Sequence, residues 1–416
     1  MNKLFRLLIV PNLLCVFAIA QSTETVLYNF GAYSTDAAFP QGGLISDADG
    51  NLYGVTAAGG QNCVSQGGCG TVYELSPSAG GTWTETILYN FCPSGNPCAD
   101  GDAPEAGLVR DASGNFYGTT SGGGTGKWGT VFRLSPPAGG EGSWTETVLW
   151  NFAINVKNNG YNVGYGKLNI DAAGNLYGST QEGGAANKGI VFRLSPSGNG
   201  TYNFSILRSF SGDDGADPQY GVAIDAAGNL YGTTEEGGIT NENCGDGGAC
   251  GLVYELSLIN GVWAETVLYK FNGSAGSNPF SPISFDQNGN LYGTLSRGVG
   301  SPGCSPYCGG VFKLSPKQGG GGTKATFLFN GQDGEEPLSG VLVSGDALYG
   351  TTYGGPNAFS IKGDQETVLY QFCSLSECTD GNEPSMGTLI EHNGLLYGVT
   401  GTGGENSAGV IYSLTK

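Results

Sequence analysis

Short apolar runs separated by turn-forming residues recur along the chain. The segment from Gly107 to Phe152 contains four such runs, and in the last two, Thr130 to Leu134 and Glu146 to Phe152, apolar and polar residues alternate. Alternation with a period of two is typical of β-strands with one buried face. The first two runs flank Asp-Ala-Ser-Gly-Asn, which is typical of a tight turn because Asp and Asn stabilise turns and glycine accepts positive φ. The segment is therefore predicted to form four short antiparallel strands.

The motif Leu-Tyr-Gly marks seven copies of this unit. Its tyrosines are Tyr53, Tyr117, Tyr177, Tyr231, Tyr292, Tyr349 and Tyr397, and Phe116 replaces the leucine in the second copy. No segment shows a capped apolar stripe with a 3.6-residue period, so helices should be rare. Seven four-stranded units predict an all-β protein, a seven-bladed β-propeller whose small sheets pack around a central channel. An open β-solenoid is the alternative.

The sequence of the fourth strand also occurs before the first complete unit. Glu24 to Phe30 matches Glu85 to Phe91 and Glu146 to Phe152, whereas the chain ends after Gly409 to Leu414, a third strand with no fourth strand behind it. We therefore predict that the N-terminal strand completes the last blade. This pairing closes the ring without an exposed sheet edge.

Residues 1–20 are typical of a cleaved export signal. Lys3 and Arg6 precede an apolar run, and Ala18-Ile19-Ala20 offers small residues at the positions that a signal peptidase reads. The run is too short for a membrane anchor, and Pro11 and Asn12 interrupt it. We expect a signal peptide, 1–20, and a single propeller domain, 21–416, without a transmembrane segment. The mature protein is then secreted, periplasmic or attached to the cell surface.

The chain is acidic, with 17 Lys and Arg against 36 Asp and Glu and a net charge of −19. This charge disfavours nucleic acid as a partner, because binding to a phosphate backbone requires clustered cations. Aromatic residues make up 11% of the chain, which supplies enough apolar surface for a folded core. A monomer is expected, and the partners left open are an extracellular glycan or another polymer.

Ten cysteines lie beyond the signal segment and fall into five close pairs. The pairs are Cys63 with Cys69, Cys92 with Cys98, Cys244 with Cys250, Cys304 with Cys308, and Cys373 with Cys378. Local disulfides in an oxidising compartment are predicted. A metal site would need two such pairs to converge, or histidines at ligand spacing, and the chain has one histidine. No metal site is therefore predicted.

All five cysteine pairs fall on one face of the predicted propeller. In a propeller the connections from strand 2 to strand 3 and from strand 4 to the next strand 1 emerge on the same face, and each pair lies in one of these connections. This face, here called the stapled face, also has the longer and more variable loops. Ordered loops on a rigid scaffold are where binding sites usually lie.

The connections from strand 4 to strand 1 repeat the signature Asp-Gly-x-x-Pro. Its aspartates are Asp100, Asp214, Asp333 and Asp380, and Asp36 before Pro40 is a looser copy. These carboxylates are candidates for binding a cation or sugar hydroxyls. The alternative, favoured by their repetition, is that each aspartate caps its own turn. Asp47-Ala48-Asp49-Gly50 resembles part of a calcium loop, but the other turns lack the middle carboxylate. No cofactor is therefore expected, and Ca²⁺ is the one alternative.

Trp128 is the one tryptophan without an evident place in a fourth strand. It lies in a stapled-face loop beside Lys127 and is a candidate for stacking on a sugar ring or for packing on its own loop. The only histidine, His392, falls on the opposite face, which excludes a Ser-His-Asp arrangement. A glycosidase needs only two carboxylates, and acidic loops such as Asp333 to Glu336 contain them.

The repeat resembles the tandem Gloeo-Verruco (GloVer) repeat of exported bacterial proteins, of choice-of-anchor type. The resemblance covers almost all of residues 24–416 and rests on Asp-x-x-Gly-Asn-Leu-Tyr-Gly-Thr-Thr, Gly-Thr-Val-Phe-x-Leu-Ser-Pro and Glu-Thr-Val-Leu-Tyr-x-Phe. It implies export, often with a variable C-terminal anchor, and no established activity or catalytic residues. The chain ends at Lys416, so no anchor is expected. The sixth unit departs from the repeat at Ala358 to Lys362, and an irregular blade is expected there.

Three functions follow as hypotheses. The first is an exported, non-catalytic binding or scaffold protein that holds a glycan or polymer through the stapled face. The second is a polysaccharide hydrolase or lyase that uses a carboxylate pair. The third is a purely structural repeat protein of the cell envelope.

Overall fold

The computed structural model describes residues 22–33, 35–63, 67–95, 97–140, 142–154, 159–242, 244, 248–274, 276–298, 308–316, 322–331 and 333–416. The predicted signal peptide, 1–20, and Cys304 lie outside these residues. Within the described residues the only helical element is one turn of 3-10 helix, Ser376–Cys378. None of the described helical segments is long and apolar enough to cross a membrane.

Seven antiparallel four-stranded sheets form the blades of a β-propeller. Blade 1 contains Ala37–Ser46, Leu52–Gly59, Thr71–Pro77 and Trp83–Asn90, and blade 2 contains Val109–Arg110, Phe116–Thr120, Lys127–Ser135 and Thr145–Ala153. Blade 3 contains Asn169–Ile170, Leu176–Thr180, Ile190–Gly198 and Thr201–Ser209, and blade 4 contains Ala223–Ile224, Leu230–Thr234, Leu252–Ile259 and Val262–Lys270.

The remaining blades follow the same order. Blade 5 contains Ser284–Phe285, Leu291–Arg297, Gly310–Pro316 and Gly322–Leu328, and blade 6 contains Leu342–Ser344, Ala347–Thr351, Asn357–Lys362 and Gln365–Gln371. Blade 7 contains Ile390–His392, Leu395–Thr402, Val410–Thr415 and Glu24–Asn29. Short additional ladders join Gly160–Tyr161 to Glu182–Gly183, Ser277–Pro279 to Leu291–Arg297, and Asn382–Pro384 to Leu395–Thr402.

The N-terminal strand closes the ring, as predicted from the sequence. Glu24–Asn29 pairs antiparallel with Val410–Thr415, with Glu24 opposite Leu414 and Asn29 opposite Val410. Beyond the ladder, the Phe30 amide donates to the carbonyl of Gly409 at 3.1 Å. The outer edge of the C-terminal blade is therefore covered by the start of the chain.

The repeated Asp-x-x-Gly-Asn-Leu-Tyr sequence forms a self-contained hydrogen-bonded turn. In blade 2 the Asp111 carboxylate accepts from the Asn115 amide at 2.9 Å and from the Tyr117 hydroxyl at 3.0 Å. The same contacts recur at Asp47, Asp171, Asp225 and Asp286. The Asp47 carboxylate of the possible calcium loop is thus occupied by its own turn. The motif tyrosine links the second strand to the turn that precedes it.

The glycine of Leu-Tyr-Gly makes room for an aromatic ring of the third strand. A Cβ atom on Gly118 would lie 2.6 Å from the Phe132 ring, and one on Gly232 would lie 2.3 Å from the Tyr254 hydroxyl. The third-strand rings in turn contact the buried phenylalanine at the end of the fourth strand of the preceding blade. The seven pairs are Phe30 with Tyr73, Phe91 with Phe132, Phe152 with Phe192, Phe210 with Tyr254, Phe271 with Phe312, Phe329 with Phe359, and Phe372 with Tyr412. Every blade boundary is therefore joined by at least one aromatic pair.

A second aromatic residue fills four of the boundaries near the face opposite the staples. Eight residues before the boundary phenylalanine, blades 1 to 4 have Trp83, Trp144, Tyr202 and Trp263. The Trp83 ring centroid lies 6.4 Å from that of Tyr397, and the Tyr202 hydroxyl lies 3.4 Å from that of Tyr117, in each case in the preceding blade. At the boundary of blades 6 and 7 the Lys416 ammonium lies 5.3 Å from the Tyr349 ring.

Blade 6 has Asp364 at this position, and a cleft of about 900 Å³ lies between blades 5 and 6. Tyr292, Phe327 and Leu348 line its apolar part. The cleft therefore lies at a blade boundary where the second aromatic residue is missing.

Asp364→Trp is expected to raise the free energy of unfolding by about 1 kcal/mol, because filling a cavity with apolar surface is stabilising. Denaturant unfolding followed by tryptophan fluorescence measures the change. Asp49→Trp, in an exposed turn of blade 1, is the matched control and should bring no gain. An Asp364→Trp variant that is no more stable than the parent would show that the cleft is not a missing-filler site.

Blade 6 is regular, and the expectation of an irregular sixth unit is wrong. Asn357–Lys362 pairs with Ala347–Thr351 on one side and with Gln365–Gln371 on the other. Ala358, Phe359 and Ile361 are buried like the third-strand residues of other blades. The strand keeps its alternating apolar positions without the usual Leu-Ser-Pro ending.

Candidate functional site

The predicted disulfides are confirmed wherever both cysteines are described. Cys63 is bonded to Cys69, Cys92 to Cys98, Cys244 to Cys250, and Cys373 to Cys378. The fifth predicted pair includes Cys304, which lies outside the described residues. The four bonds lie in connections of the stapled face and indicate folding in an oxidising environment.

The Asp-Gly aspartates are bonded within their own connections and lie at different blade boundaries. Asp100 accepts from the Tyr89 hydroxyl at 2.8 Å and from the Cys92 amide at 3.0 Å. Asp380 is fully buried and accepts from the Ser374 amide at 2.9 Å.

The other two aspartates follow the same plan. Asp214 accepts from the Ser211 amide at 2.7 Å and is paired with Arg208. Asp333 accepts from the Asn330 amide at 2.7 Å. The structure does not bring the four candidate aspartates into one site.

Each of the four Asp-Gly aspartates, and Asp36 of the looser copy, faces the glutamate of a fourth strand in the next blade. The pairs are Asp36 with Glu85, Asp100 with Glu146, Asp214 with Glu265, Asp333 with Glu366, and Asp380 with Glu24. One carboxyl oxygen of each glutamate is buried and has no donor in contact with it. In Glu85 and Glu366 a proton on the carboxyl group would make a hydrogen bond to the aspartate.

Burial, and then the charge of the neighbouring aspartate, raise the pKa of Glu85, Glu146 and Glu366 to about 8. The same two causes raise the pKa of Glu24 to about 7. Glu265 also reaches a pKa of about 7 through burial, although the Arg208 guanidinium, 2.6 Å away, opposes the rise. These carboxyl pairs belong to the joints between blades.

Trp128 packs on the neighbouring blade. Its ring lies edge-on to Tyr161 with centroids 5.2 Å apart, and 36% of the residue remains exposed. The Tyr161 hydroxyl donates to Glu182 at 2.7 Å, which fixes the ring beneath the indole. Trp128 lies in the strand Lys127–Ser135 of blade 2 and not in a loop as predicted, and its ring is at the boundary with blade 3.

One residue per blade at the channel mouth has left-handed backbone geometry. Phe39 lies near the start of strand 1 of blade 1, and the others precede strand 1 of their blades. The seven residues, with φ between 49° and 58°, are Phe39, Ala103, Asn162, Asp217, Asn278, Glu336 and Glu383. Non-glycine residues adopt this geometry only when the surroundings hold them there. In blade 2 the Ala103 amide donates to Cys69 of blade 1, while its carbonyl accepts from Ser121 of its own blade. The strained residues therefore connect neighbouring blades around the mouth.

A cleft of about 230 Å³ opens at this mouth, with residues of blades 7, 1, 2, 3 and 6 around it. Glu105 and Glu383 supply carboxylates, and Tyr165 and Tyr353 supply aromatic rings. Burial raises the pKa of Glu105, against the effect of its hydrogen bond with Ser121. The cleft thus combines hydrogen-bond acceptors with ring surfaces that can stack.

The far side of the mouth is filled by apolar and charged residues of blades 4 and 5. Tyr220 is buried against Phe280, with ring centroids 4.5 Å apart. Burial first, and then Asp217 and Glu236, raise the pKa of Glu235 to about 7, while Arg297 opposes the rise. Burial and Glu236 raise the pKa of Asp217 to about 6. Glu235 and Asp217 thus form a carboxyl pair on this side of the mouth, with Glu236 beside them.

Lys167 precedes Asn169–Ile170, the inner strand of blade 3. It lies four residues before the turn aspartate of blade 3, and the corresponding residues of the other blades are Gly43, Gly107, Gly221, Pro282, Gly340 and Thr388. The side chain reaches solvent, but surrounding protein lowers the pKa of its ammonium group. It therefore brings a hydrogen-bond donor into a channel whose mouth is acidic.

The mouth residues were missed in the sequence because they lie at the variable positions of the repeat. Glu105 follows Pro104, where other blades have Gln41, Gln219 or Phe280. A position that varies among the repeats while its neighbours stay the same is the signal that would have indicated these residues. The larger cleft between blades 5 and 6 opens on the opposite face and is lined by both apolar and polar residues.

These features define a disulfide-stapled, seven-bladed β-propeller with a candidate ligand site at the mouth of its channel. The chain matches the Gloeobacter/Verrucomicrobia repeat over residues 14–162, 63–302 and 240–416. It therefore belongs to the Gloeobacter/Verrucomicrobia repeat family, as its motifs indicated. No curated protein matches the chain in sequence.

Several solved structures resemble the chain at low sequence identity. A putative gluconolactonase is 13% identical, with 95% of this chain and 92% of that chain covered and a TM-score of 0.42. A gluconolactonase from Xanthomonas campestris is 14% identical, with 95% and 89% covered and a TM-score of 0.41. A sialidase from Trypanosoma rangeli is 13% identical, with 94% of this chain but 59% of that chain covered and a TM-score of 0.45. We take no activity from these similarities.

Proposed function

We propose that the protein is an exported binding protein whose channel mouth on the stapled face holds a neutral, hydroxyl-rich ligand, a glycan or a similar extracellular polymer. The observation that carries the proposal is the mouth cleft, where Tyr165 and Tyr353 lie beside Glu105 and Glu383. Sugar hydroxyls donate to carboxylates, and the apolar faces of sugar rings stack on aromatic side chains. The net charge of −19 disfavours polyanions.

The dimensions of the cleft favour one unit of a longer ligand. Its volume of about 230 Å³ is below the range of about 300–1,000 Å³ that is usual for sites enclosing a drug-sized molecule. We therefore propose that a single ring or chain end enters the mouth while the rest of the polymer lies across the stapled loops. The disulfides support this role by stiffening those loops, since fixed loops lose less entropy on binding.

The test is a glycan array with the intact protein, followed by calorimetry on each bound glycan. Tyr353→Ala and Glu105→Gln are each expected to weaken binding about tenfold, the effect of losing about 1.4 kcal/mol from a stacking or charged hydrogen-bond contact. Tyr33→Ala, at a tyrosine that is 63% exposed elsewhere on the same face, is the matched control. Trp128→Ala should leave the affinity within about twofold. Binding that survives both mouth substitutions, or that depends only on Trp128, would contradict the proposed site.

A hydrolase or lyase is the second candidate, favoured by Glu235 and Asp217. A carboxyl group with a pKa of about 7 beside a second carboxyl group suits general acid catalysis. Product analysis on any bound polymer decides between the two functions. Turnover that is abolished by Glu235→Gln would establish the enzyme, whereas binding without products supports the binding protein. A protein that binds no polymer would be left with the structural envelope role.

A further inference from the structure

Two of the disulfides converge on one buried cluster. Cys63 and Cys69 lie in the connection between strands 2 and 3 of blade 1, and Cys92 and Cys98 lie in the connection that leads to blade 2. All four sulfur atoms lie within 4.8 Å of one another, and the Sγ atoms of Cys69 and Cys98, which belong to different bonds, are 3.6 Å apart. The sequence did not predict this convergence, because the two pairs belong to separate connections.

The geometry of the cluster is close to that of a structural zinc site. Four thiolates at a Zn–S distance of about 2.3 Å form a tetrahedron whose sulfur atoms are about 3.8 Å apart. The contact between Cys69 and Cys98 already has nearly this distance. The most distant sulfur atoms, which lie within 4.8 Å of each other, would have to approach by about 1 Å. The two sulfur atoms of each bond, about 2 Å apart in a disulfide, would have to separate by nearly 2 Å after reduction, and side-chain rotation can supply both movements.

Hydrogen bonds to residues outside the two disulfide loops hold the backbone at three of the four cysteines independently of the disulfide bonds, and the fourth, Cys63, is partly buried against the apolar cluster around the other three. The Cys98 carbonyl accepts from Gly124 at 2.7 Å, and the Cys69 carbonyl accepts from Ala103 at 3.0 Å. The Cys92 amide donates to the Asp100 carboxylate. Cys69, Cys92 and Cys98 are buried in the apolar cluster that joins blades 1 and 2. The sulfur atoms should therefore stay together after the bonds are reduced.

We propose that reduction converts the paired disulfides of Cys63, Cys69, Cys92 and Cys98 into a tetrathiolate site for one Zn²⁺ ion. Each disulfide takes up two electrons and two protons from a thiol or phosphine reductant and becomes two thiols. The four thiols release four protons when they bind Zn²⁺, so the occupied site carries a net charge of −2. Zinc suits the site because thiolates are its preferred structural ligands and the ion has no redox chemistry of its own.

The site would stabilise the two connections in a way that depends on the redox state of its cysteines. In the oxidised protein the two bonds stiffen two separate connections. In the reduced protein one ion would join both connections, and hence blades 1 and 2, at the cost of four protons. Because the thiols must lose protons to bind, zinc affinity should rise with pH.

The test uses the full-length protein, reduced anaerobically with a phosphine and titrated with Co²⁺ as a spectroscopic probe. We expect one equivalent of Co²⁺ to give thiolate-to-metal charge-transfer absorption that Zn²⁺ then abolishes, and no such absorption from the oxidised protein. Cys69→Ser with Cys98→Ser removes one ligand from each bond and should weaken binding more than about 100-fold. Cys244→Ser with Cys250→Ser is the matched control and should leave the affinity unchanged.

Three results would overturn the proposal. The first is a reduced, folded protein that binds no Co²⁺, and the second is an equal loss of binding in both double variants. Circular dichroism and thermal melting accompany the titration to show whether the reduced chain is folded. If reduction unfolds the chain, restoration of the fold by stoichiometric Zn²⁺ supports the site. A chain that stays unfolded with Zn²⁺ is the third contradicting result.

Discussion

Removing the N-terminal strand is expected to unfold the propeller at room temperature or to leave it only marginally stable. A chain that starts after Gly31 would lose the whole ladder of Glu24–Asn29 with Val410–Thr415 and the buried ring of Phe30. The edge of the last blade would then be open, and Tyr412 and Tyr73 would lose apolar neighbours. Phe30→Ala alone is expected to cost about 3–5 kcal/mol, the usual effect of removing a buried phenylalanine side chain. Denaturant unfolding followed by circular dichroism gives both values.

A circular permutant shows whether the truncated chain is unstable because the ring is open or only because residues are missing. The Thr415 amide donates to the Thr23 carbonyl at 3.1 Å, so a short linker can join Lys416 to Ser22 without moving either strand. New termini in the exposed connection near Tyr33 then leave all seven blades complete. We expect this permutant to keep a stability within about 1 kcal/mol of the parent. A truncated chain that melts like the intact protein, or a permutant as unstable as the truncated chain, would contradict closure by this strand.

Most of the fold was predictable because each repeat carries its own local signals. The Asp111 turn, the alternation from Thr130 to Leu134 and the glycine of Leu-Tyr-Gly act within a single blade, and the structure confirms the strands that they predict. The disulfides could also be predicted from the sequence, because each closes a short loop. Closure of the ring could be inferred because one strand precedes the first complete repeat and the last repeat lacks its fourth strand.

The contacts between blades could not be predicted in the same way. Asp36 and Glu85 belong to separate copies of two different motifs, and only the radial packing of the sheets brings their side chains together. The same holds for Cys69 and Cys98, and for Glu105 and Glu383 at the channel mouth. Sequence alone indicates that these residues repeat or vary. Their partners are determined by the angle and order of the blades.

The regularity of blade 6 shows the limit of motif matching. The segment Ala358 to Lys362 lacks the usual third-strand motif, yet its apolar residues alternate and Phe359 takes the aromatic position against Phe329. Packing between blades requires this ring and the glycine beneath it, but it does not require Leu-Ser-Pro. Packing between blades therefore constrains fewer positions than the repeat motif contains.

The five carboxyl pairs at the blade boundaries are expected to make the propeller most stable in mild acid. A glutamate whose pKa is raised by folding binds a proton more tightly in the folded chain than in the unfolded chain, where its pKa is near 4.5. Its contribution to stability is fully present below pH 4.5 and is lost as the pH rises through the folded value, about 7 to 8 for these residues. The free energy of unfolding should therefore fall between about pH 5 and pH 8.

At lower pH the dependence has the opposite sign, and the free energy of unfolding falls as the pH falls. The pKa of Asp214 and Asp380 is lowered because hydrogen bonds and, for Asp214, the Arg208 charge outweigh the effect of burial. The stability that these aspartates contribute is lost as the pH falls below about 3.8, the ordinary value for the side chain. The optimum is therefore expected between about pH 4 and pH 5.5.

Substitution by glutamine identifies the groups responsible, because the amide keeps the shape of the side chain and cannot ionise. Glu85→Gln, Glu146→Gln and Glu366→Gln are each expected to raise the free energy of unfolding at pH 9 by about 1–2 kcal/mol, a value reduced from the full pKa shift because the side chains are partly exposed to solvent. Each should also reduce the slope of stability against pH by up to about 1.4 kcal/mol per pH unit, the value for one proton. Urea denaturation at intervals from pH 4 to pH 9 measures both quantities.

Glu405→Gln, at an exposed glutamate of blade 7, removes the same charge and is the matched control. Because the chain carries a net charge of −19, any substitution that removes a negative charge relieves some general repulsion. Only the boundary variants should change the pH dependence beyond this shared effect. If Glu405→Gln flattens the profile as much as Glu85→Gln does, the acid stability comes from the overall charge. A profile in the parent that rises from pH 5 to pH 8 would show that the boundary glutamates are ionised in the folded protein.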